Sequence, residues 1–194
     1  SGLEVLDLVA FLVFLIEVDF FSTSIESAFL LLLLTFFNIV LDTNQEDIQI
    51  IAIDVLCKLI PNHYEQFNRY KIAELLLYQT QEMSFQLKLP VLQLFLDYLT
   101  FSPVEARRSS MCSNVSTNSI NLIIDAIESE NCRFVYIIVV TLIKMIDDDS
   151  EFWIDLISST DIINSLKSVY ENSEETMQTL IYPLLEHYYS HISE

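Results

Sequence analysis

The chain has 194 residues, 52% of them apolar, with 28 acidic and nine basic side chains and a formal net charge of −19. Nucleic acids and anionic lipid surfaces attract proteins through basic residues, so this charge argues against direct nucleic-acid binding and against electrostatic attachment to membranes. A mean hydropathy of +0.41 requires either a large buried core or insertion into a membrane.

The N-terminal segment contains two apolar runs, at residues 8–16 and 28–41, with acidic residues near their ends. Both runs are shorter than the roughly 20 residues that a membrane-spanning helix needs. Residues 1–54 contain no Lys or Arg, whereas a signal peptide begins with a basic region. We therefore interpret both runs as buried helices, over about residues 3–18 and 24–41, and expect no membrane partner.

A polar line recurs along four predicted helices. In the first, which follows a capping box at Thr43 and Glu46, Asp47, Asp54 and Lys58 stand at i, i+7 and i+11 and so share one helical face. The same three positions recur after 39, 47 and 42 residues, as Gln86, Gln93 and Asp97; Arg133, Val140 and Lys144; and Glu175, Tyr182 and Glu186. The sequence thus predicts inner helices at residues 46–60, 85–100, 132–146 and 175–190. Apolar residues between the polar positions should be buried, namely Ile51, Leu56, Leu94, Leu142 and Leu184.

Shorter elements are predicted between these helices. Pro61 should end the first helix, and a more polar helix should follow to Tyr78. Residues 102–119 are rich in Ser and Asn and poor in apolar side chains, which predicts an irregular, mobile loop. Helices are expected at 120–128, at 151–158 after a turn of acidic capping residues at 147–150, and from about 161 to 170.

The period, helix lengths and apolar pattern of residues 43–190 resemble the armadillo and HEAT families of helical repeats. The resemblance implies an all-α, right-handed α-solenoid, forming one domain over residues 3–193 that we expect to be a fragment of a longer protein. Armadillo units usually carry Gly between their first two helices, but the sole glycine here is Gly2, so the repeats are degenerate. Importin-alpha relatives bind basic peptides through Trp and Asn on inner helices, whereas Trp153 lies off the inner helices and the four lines contain no Asn. We therefore do not expect this chain to bind basic peptides as those relatives do.

The scarcity of glycine argues against phosphate-binding loops and nucleophile elbows, which need it where the backbone approaches a ligand. His187 and His191 have the i, i+4 spacing of zinc ligands but lack a Glu between them and an evident third ligand. Asp147, Asp149 and Glu151 resemble a calcium loop without its glycine. We expect no catalytic residue, cofactor or metal.

The cysteines at 57, 112 and 132 are odd in number and widely spaced, which is typical of reduced thiols in the cytoplasm or nucleus.

Basic residues concentrate in residues 55–110, which hold six of the nine. We expect a partner with acidic residues and apolar anchors to bind this segment. The predicted partner-binding residues are Lys58, Arg69, Lys71, Lys88, Gln86 and Gln93. The alternative is that these cations only neutralise nearby Asp54, Glu65, Glu74 and Asp97. In the expected loop, Ser109 and Ser110 follow two arginines and are candidate phosphorylation sites.

Three functional hypotheses remain. The favoured one is a non-enzymatic scaffold that docks a partner peptide or helix along the solenoid. The alternative is a dimerisation or intramolecular assembly module of a larger helical-repeat protein, in which the apolar helices of residues 3–41 form a homodimer interface or contact a neighbouring domain. An enzyme has only the histidine pair in its favour.

Overall fold

The computed structural model describes residues 46–80, 83–112 and 116–192. The helices expected over residues 3–41 and the capping box at Thr43 lie outside this part of the chain. Within the described ranges all regular structure is helical, which confirms the all-α class. The helices are α1 (Glu46–Tyr70), α2 (Ile72–Gln79), α3 (Phe85–Phe101), α4 (Val104–Met111), α5 (Ser116–Glu128), α6 (Cys132–Asp148), α7 (Ser150–Ser158), α8 (Ile162–Asn172) and α9 (Glu175–Ile192). None of these helices is long and apolar enough to cross a membrane.

The helices pack in two layers. The long helices α1, α3, α6 and α9 contact one another in that order, and the shorter helices α2, α5 and α8 do the same. The long helices also contact the shorter ones across the core, as in the pairs α2–α3, α5–α6 and α8–α9. Each layer buries one face of its helices against the other, and this leaves the opposite face of the long helices open.

The four long helices lie where the polar lines predict them, but the first extends further than expected. Pro61 does not end α1, which continues to Tyr70 and contains one non-helical residue, His63, at φ −134° and ψ 22°. Proline has no backbone N–H and crowds the preceding turn, so it bends a helix without necessarily stopping it. The non-helical residue His63 lies two residues after Pro61.

Burial follows the repeat pattern with one exception. Leu56, Leu94, Leu142 and Leu184 are at most 1% exposed, as predicted. Ile51 was expected to be buried and is 38% exposed, so that prediction is wrong. It lies four residues after Asp47 and three before Asp54, which places it on the polar line itself.

The prediction of an irregular loop over residues 102–119 is wrong in the part that the structure describes, because α4 occupies residues 104–111 and α5 begins at Ser116. Polar side chains anchor α4 together with the buried Ala106 and Met111. Arg107 is only 6% exposed and donates from Nη1 to Oδ2 of Asp148 at 2.5 Å. It also donates from Nη2 to the carbonyl of Thr100 at 3.3 Å. The mobility expected of this segment stays a prediction.

Candidate partner-binding face

The predicted polar lines form one exposed face on the long-helix layer. Of their twelve positions, ten are exposed and two, Gln93 and Asp97, are half-buried. We call these twelve positions the exposed row. Because α1, α3, α6 and α9 contact each other in sequence, their lines lie side by side across the layer. Each long helix contributes three residues to the row, and a contact between Gln93 and Arg133 joins its α3 and α6 parts.

Polar contacts join neighbouring helices along the row. Arg133 on α6 donates from Nη2 to Oε1 of Gln93 on α3 at 3.0 Å. Lys144 on α6 donates from Nζ to the carbonyl of Thr100 on α3 at 2.8 Å. Within α1, Nζ of Lys58 lies 3.2 Å from Oδ2 of Asp54. These contacts fix the relative register of the helices, and they partly neutralise charges that a partner would otherwise meet.

The structure places three of the six predicted partner-binding residues on the exposed row and three outside it. Lys58, Gln86 and Gln93 lie on the exposed row, and two of them already have intramolecular partners. Lys88 is half-buried on α3, and Arg69 is exposed beyond the break in α1. Lys71 sits between α1 and α2 with a left-handed backbone, at φ 51° and ψ 41°. Within the described ranges no hydrogen bond or ion pair joins any two of the six.

A half-buried acid lies in the middle of the row. Desolvation raises the pKa of Asp97 to about 6. On neighbouring α1, the pKa of the Cys57 thiol is raised above its ordinary range, first by burial and then by the negative charges of Asp97 and Asp54. A thiol held protonated in this way is a poor nucleophile. The sequence placed Asp97 on the line but gave no sign of its desolvation.

Aromatic and aliphatic side chains interrupt the row toward its C-terminal end. Val140 on α6 is 48% exposed and Tyr182 on α9 is 50% exposed, with Tyr136 and Tyr189 exposed nearby. Sequence reasoning treated Val140 and Tyr182 as breaks in a polar pattern. On an exposed face they supply the apolar area that protein interfaces use as anchors.

The acidic turn at residues 147–150 has a different role from the one expected. Asp149 makes no side-chain capping bond to α7. Its carboxylate instead accepts from Nε and Nη2 of Arg108 at 2.5 and 2.6 Å, beside the Arg107–Asp148 pair. This bond with Arg108 is the main cause that lowers the pKa of Asp149. Of the three acids in the calcium-like pattern, Asp149 is therefore an ion-pair partner for α4.

The histidine pair also has local partners. Nε2 of His187 lies 3.0 Å from Oδ1 of Asp147, and Nδ1 of His191 lies 2.9 Å from the carbonyl of His187. Among the described residues no group of three His, Cys, Asp or Glu side chains is arranged to hold a metal ion. The His187 ring therefore joins α9 to α6, and the His191 ring contacts the backbone of its own helix.

The two candidate phosphorylation sites differ in access. Ser109 is exposed on α4. Ser110 is 3% exposed, and its hydroxyl lies 3.4 Å from both Oε1 of Glu74 and the hydroxyl of Tyr98. A kinase could reach Ser110 only after α4 opened, so Ser109 is the accessible member of the pair.

Comparison of the chain with protein-family models, with curated proteins and with solved structures finds no match.

Proposed function

We propose that this chain is a non-enzymatic protein-interaction scaffold, built as a right-handed α-solenoid of armadillo/HEAT-like repeats. A partner peptide or helix docks along the exposed row. The observation that carries the proposal is that all twelve aligned positions lie at least partly open on a face shared by four successive long helices. Extended faces of this kind are the binding surfaces of helical-repeat proteins.

The spacing of polar contacts supports the repeat architecture. Most side-chain contacts between distant residues have separations of 36–43 residues, and two, Asn68–Tyr98 and Ser158–Tyr188, have separations of 30. The longer group includes Glu74–Ser110, Gln93–Arg133, Arg108–Asp149, Glu128–Ser165, Glu130–Ser173 and Asp147–His187. A stack of similar units makes contacts between equivalent parts of neighbouring units, at a separation close to the repeat length. A fold closed around one core has no reason to favour a single separation.

The partner should combine apolar anchors with polar groups that match the row. Exposed aromatic residues on α6 and α9 provide the apolar contacts. Acidic partner residues opposite Lys58, Lys88 and the neighbouring basic side chains are the second element of the proposal. Reversing charge with Lys58→Glu and Lys88→Glu together should then weaken partner binding at least several-fold. Unchanged binding by this variant would show that acidic partner residues are not needed. The proposal that a partner docks on the exposed row would still stand.

The experiment on the scaffold compares two surface variants that differ only in layer. Tyr136→Ala with Tyr182→Ala removes exposed aromatics from the long-helix side, whereas Leu75→Ala with Tyr78→Ala removes equally exposed side chains from α2. Proteins captured on the purified wild-type domain are identified by mass spectrometry. The row variant should lose them and the α2 variant should retain them, with helicity unchanged in both. Retention by the row variant would contradict the proposal.

The alternative function, homodimerisation or assembly through residues 3–41, concerns a segment outside the described residues. A molar mass that rises with concentration and falls when apolar residues of that segment are replaced by Ser would favour it. A scaffold that binds its partner as a monomer should have the same molar mass at every protein concentration. The cytoplasm or nucleus remains the expected location, on the basis of the cysteine pattern.

A further inference from the structure

An open pocket lined mainly by tyrosines lies where the C-terminal end of α8 meets α9. Its lining comprises Tyr170, Tyr182, Leu185, Glu186, Tyr189 and Ser190. Tyr182, Glu186 and Tyr189 stand at i, i+4 and i+7 on α9, so they line one side in a column, and Tyr170 of α8 faces them. Leu185 forms an apolar floor, since it is only 8% exposed. Two of the lining residues belong to the exposed row.

The charges around the pocket are suited to a cation. The hydroxyl of Tyr182 donates to Oε1 of Glu186 at 3.3 Å, and Glu186 is the first cause that raises the pKa of Tyr182. Tyr182 therefore stays neutral, and Glu186 is the one carboxylate among the residues that line the pocket. Residues 121–194 carry fourteen acidic and three basic side chains, so the surrounding field is negative as well.

One cation already rests on the tyrosine cluster. Nζ of Lys167, one turn before Tyr170 on α8, lies 5.2 Å from the ring centroid of Tyr189. The electron-rich faces of aromatic rings attract ammonium and guanidinium groups, most strongly where water is partly excluded. Lys167 thus lies at the Tyr189 end of the column, whereas Tyr182 and Glu186 at the other end are exposed.

We propose that this pocket, defined by Tyr170, Tyr182, Glu186 and Tyr189, receives a basic side chain of the docked partner. The geometry favours arginine, whose planar guanidinium can stack on a tyrosine ring while it donates to the carboxylate of Glu186. The proposal rests on the scaffold function, because it names the residue that the partner presents at the α9 end of the exposed row. The charge of the partner then differs between its two ends, with acidic residues toward α1 and α3 and a basic residue at α9.

The test uses small probes, so that it does not depend on identifying the partner. Butylguanidinium, butylammonium and the neutral amide butyramide are titrated into the protein labelled with ¹³C on its tyrosine rings, and chemical shifts are followed by NMR. The two cations should shift the rings of Tyr170, Tyr182 and Tyr189 in a saturable way, with the guanidinium binding more tightly. Butyramide should cause no saturable shift. Equal shifts with butyramide would show an ordinary apolar pocket and overturn the proposal.

Two variants distinguish binding of the probes in the pocket from a response to the net charge of the protein. Glu186→Gln keeps the shape of the side chain and should weaken butylguanidinium binding about tenfold, the loss expected when one charge-assisted pair is removed. Glu174→Gln removes the same charge from the exposed residue that precedes the same helix and is not part of the exposed row, and it should leave binding unchanged. Equal weakening by both variants would mean that the probes respond only to net charge.

The outcomes also distinguish this proposal from the scaffold function. If no probe binds but the Tyr136→Ala and Tyr182→Ala variant still loses captured proteins, the cation pocket is wrong and the docking face stands. If butylguanidinium binds and the same variant keeps its captured proteins, the pocket binds cations, but the docking face and the pocket's role in partner binding are both wrong.

Discussion

The half-buried carboxyl of Asp97 gives a prediction whose size follows from the structure. Burial raises its pKa from 3.8 to about 6, so between these values the folded protein holds a proton that the unfolded chain has lost. The contribution of this carboxyl to folding stability therefore falls as the pH rises from about 4 to about 6, and above about pH 7 it falls no further. A shift of this size corresponds to at most about 3 kcal/mol, and solvent screening of a half-exposed group reduces it to about 1 kcal/mol.

Replacing Asp97 with Asn removes the charge but keeps the shape. At pH 7.5 Asp97→Asn should raise the free energy of unfolding by about 1 kcal/mol, and at pH 5 by about half as much, because the wild-type carboxyl is then largely protonated. Urea unfolding followed by circular dichroism at both pH values measures the difference. Asp125→Asn, at an exposed site on α5, controls for the loss of one charge from a strongly acidic protein. An equal gain from both variants, or an Asp97 carboxyl that titrates near pH 4 by NMR, would refute the reasoning.

Three further predictions concern the core, the α4 anchor and the thiols. Leu142→Ala should lower the free energy of unfolding by about 2 to 5 kcal/mol, and Val140→Ala on the exposed row should lower it by less than about 1 kcal/mol in the same urea assay. Asp148→Ala leaves a buried arginine of α4 without its ion-pair partner and should cost about 2 to 4 kcal/mol, whereas Asp54→Ala removes the exposed pair with Lys58 on α1 and should cost about 1 kcal/mol or less; similar losses would mean that α4 is held in another way. Iodoacetamide followed by mass spectrometry should modify the two exposed cysteines well before Cys57, and an equal rate at Cys57 would contradict the burial that raises its pKa.

The long helices could be predicted from the sequence because a single amphipathic pattern specifies each of them. Apolar side chains such as Leu56 and Leu94 recur at helical spacing, and their burial depends little on which neighbour covers them. Ile51 shows the limit of that reasoning. Its apolar character predicted burial, but its position one turn after Asp47 fixed its exposure.

Features that depend on distant contacts could not be predicted. The segment around Arg107 looked like a loop because its anchors are polar, and the Asp148 carboxylate that holds it lies 41 residues away. Tyr170 and Tyr182 belong to different helices, so no local spacing indicated a shared pocket. The desolvation of Asp97 likewise depends on the packing of α3 within the long-helix layer. Periodicity within one helix contains no information about such pairings.

Site-directed photo-crosslinking tests the docking face most directly. A photoreactive phenylalanine analogue is introduced at Val140 or Tyr182 on the exposed row and, as the control, at Tyr78 on α2, which is also exposed. The domain is then irradiated in cell extract and the crosslinked products are identified by mass spectrometry. If the row docks a partner, both row positions should form a crosslink to the same protein and Tyr78 should form none. A specific crosslink at Tyr78 together with none at either row position would place binding on the opposite side of the fold and contradict the proposed function.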